Sequence, residues 1–163
     1  MSWQLHPWVA LGNSLDSHYC GLLGWAIANR HLPLLELSLE AKPKAEIFDL
    51  PLHHGNLPAL HLASRVGDTQ VVQLLLQKCN PKKTDINGQT ALHHAAETGY
   101  LDVARLLVKK RVKLRHQDNS GETALYRAAA GGHEAVVRAL VELGADVHQK
   151  DRDRWKIWRS VSR

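Results

Sequence analysis

Apolar side chains recur at helical spacing in short stretches of this chain, and glycine, asparagine or proline separates one stretch from the next. The clearest stretch predicts a helix from Thr90 to about Thr98, a break at Gly99, and a second helix from Leu101 to about Lys110. One apolar stripe runs through both helices and contains Leu92, Ala95, Ala96, Val103, Leu106 and Leu107. Helices this short cannot bury such a stripe alone, so the pattern favours helices that pack on neighbouring copies.

One phrase of the sequence occurs three times. It reads Pro-Ala-Leu-His-Leu-Ala at residues 58–63, Thr-Ala-Leu-His-His-Ala at 90–95 and Thr-Ala-Leu-Tyr-Arg-Ala at 123–128, with starts 32 and 33 residues apart. A glycine and then an aliphatic run follow each phrase at one fixed offset, and the glycines are Gly67, Gly99 and Gly132. A period of this length indicates one supersecondary unit stacked on copies of itself.

The three phrases resemble the signature T-P-L-H-x-A of the ankyrin repeat family, and the resemblance covers about residues 16–154. It implies an all-α fold, which is a solenoid of stacked helix-turn-helix units with short β-turn hairpin tips. The implied turns are Asp85-Ile-Asn-Gly88 and Asp118-Asn-Ser-Gly121, where asparagine and glycine suit tight turns. The resemblance also implies that His61 and His93, at the signature histidine position, bond the turn of their own or a neighbouring repeat.

The register divides the chain into six parts, which we name repeats one to four with two ends. The parts are an N-terminal cap or extension (1–15), a divergent repeat one with a loop (16–52), repeats two (53–85), three (86–118) and four (119–151), and a truncated repeat or C-terminal cap (152–163). In repeat one, Arg30 takes the glycine position and Pro33 falls in the first turn of the second helix. A loop around Pro43 to Leu52 follows. Pro81 is expected to end the second helix of repeat two.

Composition changes this picture little. The chain has 163 residues, with 44% hydrophobic and 23% charged residues, which is ordinary for a globular domain. Its apolar runs are shorter than the ~18–20 residues that a membrane span needs, and its N-terminus does not resemble a secretory signal. Cys20 and Cys79 are expected to be reduced thiols. We therefore expect a monomer in the cytoplasm, with the nucleus as the alternative, and no membrane partner.

The net charge of +5 is unevenly distributed. Residues 105–115 hold six basic residues and no acid, and residues 150–163 hold six basic residues and two acids, so the other parts of the chain are mildly acidic. The first segment has two interpretations. It is either a nuclear-import or polyanion patch, or a set of solvated cations at the negative end of a helix dipole.

Candidate catalytic and metal-binding patterns are missing from the sequence. Eleven histidines are present, but none belongs to an H-E-x-x-H motif, and neither cysteine belongs to a C-x-x-C pair. Adjacent repeats separate the signature histidines too widely for both to bind one metal at ~2 Å. We also find no G-x-S-x-G elbow and no glycine-rich phosphate loop. The sequence therefore predicts a protein without enzyme activity, cofactor or metal.

The predicted function is binding of a protein partner through the concave face formed by turn tips and inner helices, as an adaptor, scaffold or inhibitor. Nucleic acid is not the expected partner. Side chains at variable positions of that face need not hold the fold, and they are Arg65, Val66, Ile86, Asn87, Gln89, Glu97, Thr98, Asn119, Ser120 and Glu122. Two alternatives remain open. One is a nuclear regulatory factor that uses basic segments 105–115 and 150–163, and the other is an accessory protein of a biosynthetic pathway without independent activity.

Overall fold

A computed structural model describes residues 14–40, 45–52 and 57–148. Each of the four repeats contributes a pair of antiparallel helices to this part of the chain. The helices are α1 (Ser14–Ala28), α2 (Leu32–Glu40), α3 (Ala59–Val66), α4 (Thr69–Leu75), α5 (Ala91–Thr98), α6 (Leu101–Lys109), α7 (Ala124–Ala130) and α8 (Glu134–Glu142).

The helices form two layers. The inner helices α1, α3, α5 and α7 pack in chain order, each against the next, and the outer helices α2, α4, α6 and α8 do the same behind them. Between repeats the chain forms short turns, which we call turn tips. Within the described residues a single antiparallel bridge closes each tip, and the bridges join Leu52 to Leu57, Thr84 to Thr90, and Gln117 to Thr123. The all-α prediction with brief turn-tip pairing is confirmed.

Inner helices α5 and α7 begin and end where the sequence predicts. Thr90 stands before α5, and its backbone N–H donates to His93 Nδ1 at 3.2 Å. Thr123 stands before α7, and its hydroxyl accepts from the backbone N–H of Tyr126 at 3.2 Å. Gly99 follows α5 with φ of 80°, in the left-handed region that favours glycine. A Cβ at Gly99 would stand 2.5 Å from the His133 ring, so this position requires glycine for space as well.

The core is one continuous apolar cluster between the two layers. Leu92, Ala95, Val103 and Leu107 lie in it with at most 1% of their surface exposed. Leu106 was assigned to the same stripe, but the structure leaves it half-buried at the edge of the core. Leu107 is therefore the more deeply buried leucine of α6.

Repeat one keeps the helix pair and departs from the prediction in two places. Helix α1 begins at Ser14, inside the part predicted to be an N-terminal cap or extension. Arg30 adopts φ of 55° in the left-handed region between α1 and α2, and Pro33 lies in the first turn of α2, as predicted. The segment expected to be a loop is helical over residues 45–49 instead. It contains a 3-10 turn (Ala45–Asp49) whose Phe48 is 2% exposed, because this aromatic side chain packs into the main core.

In repeat two, the structure ends α4 at Leu75, six residues before Pro81. The chain then passes through turns stabilised by bonds from the N–H groups of Lys78 and Cys79 to the Leu75 carbonyl. Proline therefore does not end this helix. No helix among the described residues is long and apolar enough to cross a bilayer.

Several predictions concern residues outside the described ranges. They are the N-terminal cap before residue 14, the turn at residues 53–56, and the C-terminal cap with its basic segment beyond residue 148.

Candidate functional site

The signature histidines connect repeat two to repeat three and repeat three to repeat four. His61 Nε2 donates to the backbone carbonyl of Gln89 at 3.1 Å, and His93 Nε2 donates to that of Glu122 at 3.2 Å. Both carbonyls belong to the turn of the following repeat. The implied structural role of His61 and His93 is therefore confirmed.

Both rings are almost completely buried, with 1% of their surface exposed. Burial disfavours the charged imidazolium and is the largest cause that lowers the pKa of His61 to about 4. Burial likewise lowers the pKa of His93 to about 4, although its bond to the Glu122 carbonyl acts in the opposite direction. Both histidines are therefore neutral at pH 7, and their role is to hydrogen-bond the turn of the following repeat.

Two aspartates hold the turn tips of repeats three and four in the same way. Asp85 Oδ1 accepts from the backbone N–H groups of Asn87 and Gln89, both at 2.9 Å. Asp118 Oδ1 accepts from those of Ser120 and Glu122, again at 2.9 Å. A carboxylate that accepts hydrogen bonds from two backbone N–H groups stabilises the loop. This Asx-type turn satisfies N–H groups that would otherwise need partners in a β-ladder.

The other oxygen of each aspartate faces the inner helix that follows its turn. Asp85 Oδ2 lies 2.9 Å from His94 Nε2, and Asp118 Oδ2 lies 2.8 Å from Arg127 Nη2. Burial acts to raise the pKa of Asp85, but bonds from His94 and from backbone N–H groups outweigh it, and the pKa is lowered. For Asp118, burial is again outweighed, chiefly by the bond from Arg127, and the pKa is lowered. Both aspartates therefore stay ionised at neutral pH.

Arg127 is the centre of an ion-pair network that joins two repeats. Besides Asp118, it lies 2.9 Å from Glu122 in its own turn and 3.5 Å from Glu97 at the end of α5. Its side chain is 23% exposed. Burial acts to lower the pKa of Arg127, but Asp118 and the two glutamates outweigh it and raise the pKa. A fixed cation surrounded by three carboxylates leaves the local surface with a net negative charge.

Several of these groups line a shallow pocket of about 440 Å³ on the face that the turn tips and inner helices of repeats two to four form. Its walls come from three turn tips and from the inner helices α3, α5 and α7. The lining residues are Leu57, Arg65, Asn87, Gln89, His94, Glu97, Asp118, Asn119, Ser120 and Arg127.

Six of the ten predicted binding residues line this pocket: Arg65, Asn87, Gln89, Glu97, Asn119 and Ser120. The other four, Val66, Ile86, Thr98 and Glu122, lie on the same elements outside it. Their exposure differs: Ile86 is 69% exposed at its turn tip, whereas Val66, Thr98 and Glu122 are half-buried.

The expectation that such variable side chains need not hold the fold is wrong for Gln89 and Asn119, in addition to Glu97 and Glu122, which pair with Arg127. Gln89 is 6% exposed, and its side-chain amide donates to Asp118 Oδ2 at 3.3 Å. Asn119 donates from its backbone to the Asn87 carbonyl at 2.9 Å and from its side chain to the Ile86 carbonyl at 3.1 Å. Gln89 and Asn119 therefore connect the turn tip of repeat three to the turn tip of repeat four.

Sequence reasoning missed His94 and Arg127 as parts of this face. A signal was present, because the same place of the repeated phrase holds Leu62 in repeat two but a polar residue in repeats three and four. In both cases an aspartate stands nine residues earlier. A polar residue at a buried place needs a partner, and that spacing identifies it.

The described residues contain no group of three or more His, Cys, Asp or Glu side chains that could hold a metal ion. Cys20 and Cys79 are both buried. Burial, with a smaller contribution from Asp49, raises the pKa of the Cys79 thiol to about 12, so this sulfur has little thiolate character.

Comparison with known proteins agrees with this geometry. A family model described as ankyrin repeats in three copies matches residues 23–118 and 60–151. Transient receptor potential cation channel subfamily A member 1 of Homo sapiens is 45% identical over 60 residues, which are 37% of this chain and 5% of the channel protein. A probable E3 ubiquitin-protein ligase of Oryza sativa subsp. japonica is 39% identical over 88 residues, which are 53% of this chain and 16% of the relative.

An interferon antagonist of vaccinia virus is 30% identical over 100 residues, which are 61% of this chain and 33% of the viral protein. The chain thus spans a third or less of the length of each of these relatives. Ankyrin repeats generally mediate protein–protein interaction and are typically non-catalytic. Since the family model covers most of the described residues, the chain belongs to the ankyrin repeat family.

Proposed function

We propose that this protein is a non-catalytic adaptor, scaffold or inhibitor that binds a protein partner through the concave face of repeats two to four. The observation that carries the proposal is the exposed apolar side chain of Ile86 on a rigid turn tip beside the polar pocket. An apolar contact next to placed polar groups is the usual composition of a protein interface.

Rigidity of the tips supports this function. Asp85 fixes the turn that presents Ile86 and Asn87, and Asn119 bonds that turn to the next one. A partner that docks here does not have to order these loops, so less conformational entropy is lost on association. The side chains of Ile86, Asn87 and Ser120 are exposed and are therefore available for contact.

Charge on the same face adds selectivity. Glu97 remains 47% exposed although it contacts Arg127, and Arg65 is exposed on the neighbouring helix. Opposite charges placed this close favour a partner with a complementary arrangement and disfavour others. We propose a monomer in the cytoplasm, with the nucleus as the alternative, because the buried thiols suit a reducing compartment.

The test is affinity capture from native extract, compared between two variants of the chain. The tip variant carries Ile86→Ala, Asn87→Ala and Ser120→Ala, which avoid the bonding side chains of Gln89 and Asn119. Exposed substitutions of this kind usually change the stability by under ~0.5 kcal/mol each, so the fold should be kept. Circular dichroism and thermal melting verify this.

The matched control carries Lys109→Gln and Lys110→Gln at the end of outer helix α6. We expect that proteins retrieved by the wild type and by the control are lost from the tip variant. If the tip variant retains them and the control loses them, the partner binds behind the outer helices and the concave proposal is wrong.

A further inference from the structure

A second charged surface lies at the C-terminal end of outer helix α6 and in the loops that follow outer helices α4 and α6. We name it the basic band, and it consists of Lys78, Lys82, Lys83, Lys109, Lys110, Arg111, Lys113 and Arg115. All eight side chains are exposed. The helix register aligns Lys78 with Lys110, 32 residues apart, and the turn-tip register aligns Lys82 with Arg115, 33 residues apart. Helices in contact lie ~8–10 Å apart, so the two loops present their cations side by side.

Few anions neutralise the band. Residues 69–84 and 103–117 contain no aspartate or glutamate. Lys83 lies 3.3 Å from Asp49, and Arg115 lies 3.9 Å from Asp146. The six other cations form no ion pair within the described part of the chain. Repeat four does not continue the band, because Leu143 and Gly144 stand where repeat three has Lys110 and Arg111. The charge is thus not a requirement of the repeat.

The band is a fixed surface and not a linear peptide signal. Val112 lies in the middle of the basic run and is 4% exposed in the core. Arg111 donates its backbone N–H to the Val108 carbonyl at 2.8 Å, and Val112 donates to that of Leu107 at 3.3 Å. A receptor that reads an extended basic peptide would have to pull Val112 from the core. This observation disfavours the nuclear-import interpretation and favours a folded polyanion site.

Arg111 also occupies a strained position. Its φ is 62°, in the left-handed region, where the equivalent Gly144 has φ of 94°. Side chains other than glycine adopt this conformation at a cost, and such outliers often mark functional sites. Glycine would relax the turn but would remove a cation from the centre of the band.

The surroundings of the band indicate which polyanion it fits. Among the described residues, the exposed large apolar side chains all lie outside the two loops. The band therefore lacks exposed apolar side chains that could insert into a membrane. It also lacks exposed aromatic side chains on which the bases of single-stranded nucleic acid could stack. It also lacks the aromatic anchors typical of protein interfaces. Phosphates of a duplex are contacted by lysine and arginine through charge alone, and they supply a dense row of negative charges.

We propose that the basic band binds the phosphate backbone of double-stranded nucleic acid without sequence preference. This activity is separate from the proposed concave function. If the six cations outside ion pairs each contact a phosphate, the logarithm of the binding constant should fall with the logarithm of salt with a slope of about −5. Nonspecific affinities of this kind have dissociation constants of roughly 10⁻⁴ to 10⁻⁶ M at physiological salt.

Fluorescence anisotropy of a labelled 20-base-pair DNA duplex of arbitrary sequence tests the proposal, with the full chain titrated at several salt concentrations. The band variant carries Lys109→Gln and Lys110→Gln. Each lost contact should weaken binding about eightfold at 0.1 M salt, hence about sixtyfold for two, and the slope should fall by about two. The charge-matched control carries Arg65→Gln and Arg138→Gln on other surfaces and should bind nearly as the wild type does.

A third variant, Arg111→Gly, separates loss of binding from loss of folding. It should raise the melting temperature, because glycine relieves the positive φ, and should weaken duplex binding about eightfold at 0.1 M salt. A destabilised protein cannot produce both results. If this variant is more stable and binds the duplex as tightly as the wild type, Arg111 is not part of the site.

Three other results would overturn the proposal. The first is that no duplex binding occurs at 50 mM salt with 100 μM protein. The second is that the charge-matched control loses as much affinity as the band variant, since net charge alone would then explain binding. The third is that a 20-residue polyglutamate peptide or phosphatidylserine vesicles bind more tightly than the duplex, which would assign the band to an acidic protein segment or to a lipid surface.

Discussion

Acidification should destabilise this protein through its two signature histidines. The folded pKa of His61 and of His93 is about 4, whereas an unfolded histidine has a pKa near ~6.5. As the pH falls below ~6.5, the unfolded chain takes up protons that the folded chain does not. Stability is therefore fully present above that pH and is lost progressively as the pH falls towards 4.

The magnitude follows from these two pKa values. Between pH 7 and pH 5, each histidine should reduce the free energy of unfolding by about 2 kcal/mol, and the pair by about 4 kcal/mol. A domain of this size is stable by ~5–15 kcal/mol, so the loss is a large fraction of the total. Asp85 and Asp118 do not interfere in this range. Their lowered pKa values stabilise the fold above ~3.9, and that contribution is lost only below it.

Urea unfolding followed by circular dichroism at pH 7, 6 and 5 measures the effect. The single variants His61→Gln and His93→Gln should each start from a lower stability at pH 7, because a bond to the next repeat is lost. Each should nevertheless show only about half of the wild-type loss on acidification. If the variants retain the full pH dependence, other groups bind the protons and the assignment of these two histidines as the acid-sensitive sites is refuted.

Three further predictions concern stability. Leu107→Ala should lower the free energy of unfolding by ~2–5 kcal/mol and Leu106→Ala by clearly less, because only the first side chain is completely buried; equal losses in urea titrations would contradict the helix register. Asp118→Asn should cost ~1.5–3 kcal/mol, because the charge-assisted bond from Arg127 is lost, and an unchanged melting temperature would show that the network does not stabilise the turn. Deleting residues 152–163 should lower the melting temperature and expose apolar surface to a dye, and a monomer that melts as the full chain does would exclude a cap.

Most of the helical architecture was predictable from the sequence because repetition and helical periodicity reinforce each other. The phrase starting at Thr90 fixed the beginning of α5, and Gly99 fixed its end, since only a few residue types satisfy those backbone positions. The end of α4 was not predictable from Pro81. Loop geometry after Leu75 depends on bonds back to the Leu75 carbonyl that no local residue pattern encodes.

The site was predictable only in part, for a different reason. Variable positions of the concave face can be located by register, but register does not reveal which side chains are turned inward. Gln89 and Asn119 were expected at the surface, yet they bond one turn tip to the next. Arg127 was missed because its three carboxylate partners come from two repeats, and that convergence exists only after folding.

The histidine hydrogen bonds join the repeats in one direction along the chain, each from one repeat to the turn of the next. His61 reaches forward to the turn of repeat three, and His93 reaches forward to the turn of repeat four, so neighbouring interfaces use the same joint. A duplicate of residues 86–118 inserted after the original would receive a bond from the His93 before it and supply an equivalent histidine to the turn after it. The histidine bond would therefore be kept at each joint when this segment is duplicated, and each added unit would extend the face formed by turn tips and inner helices by the width of one repeat.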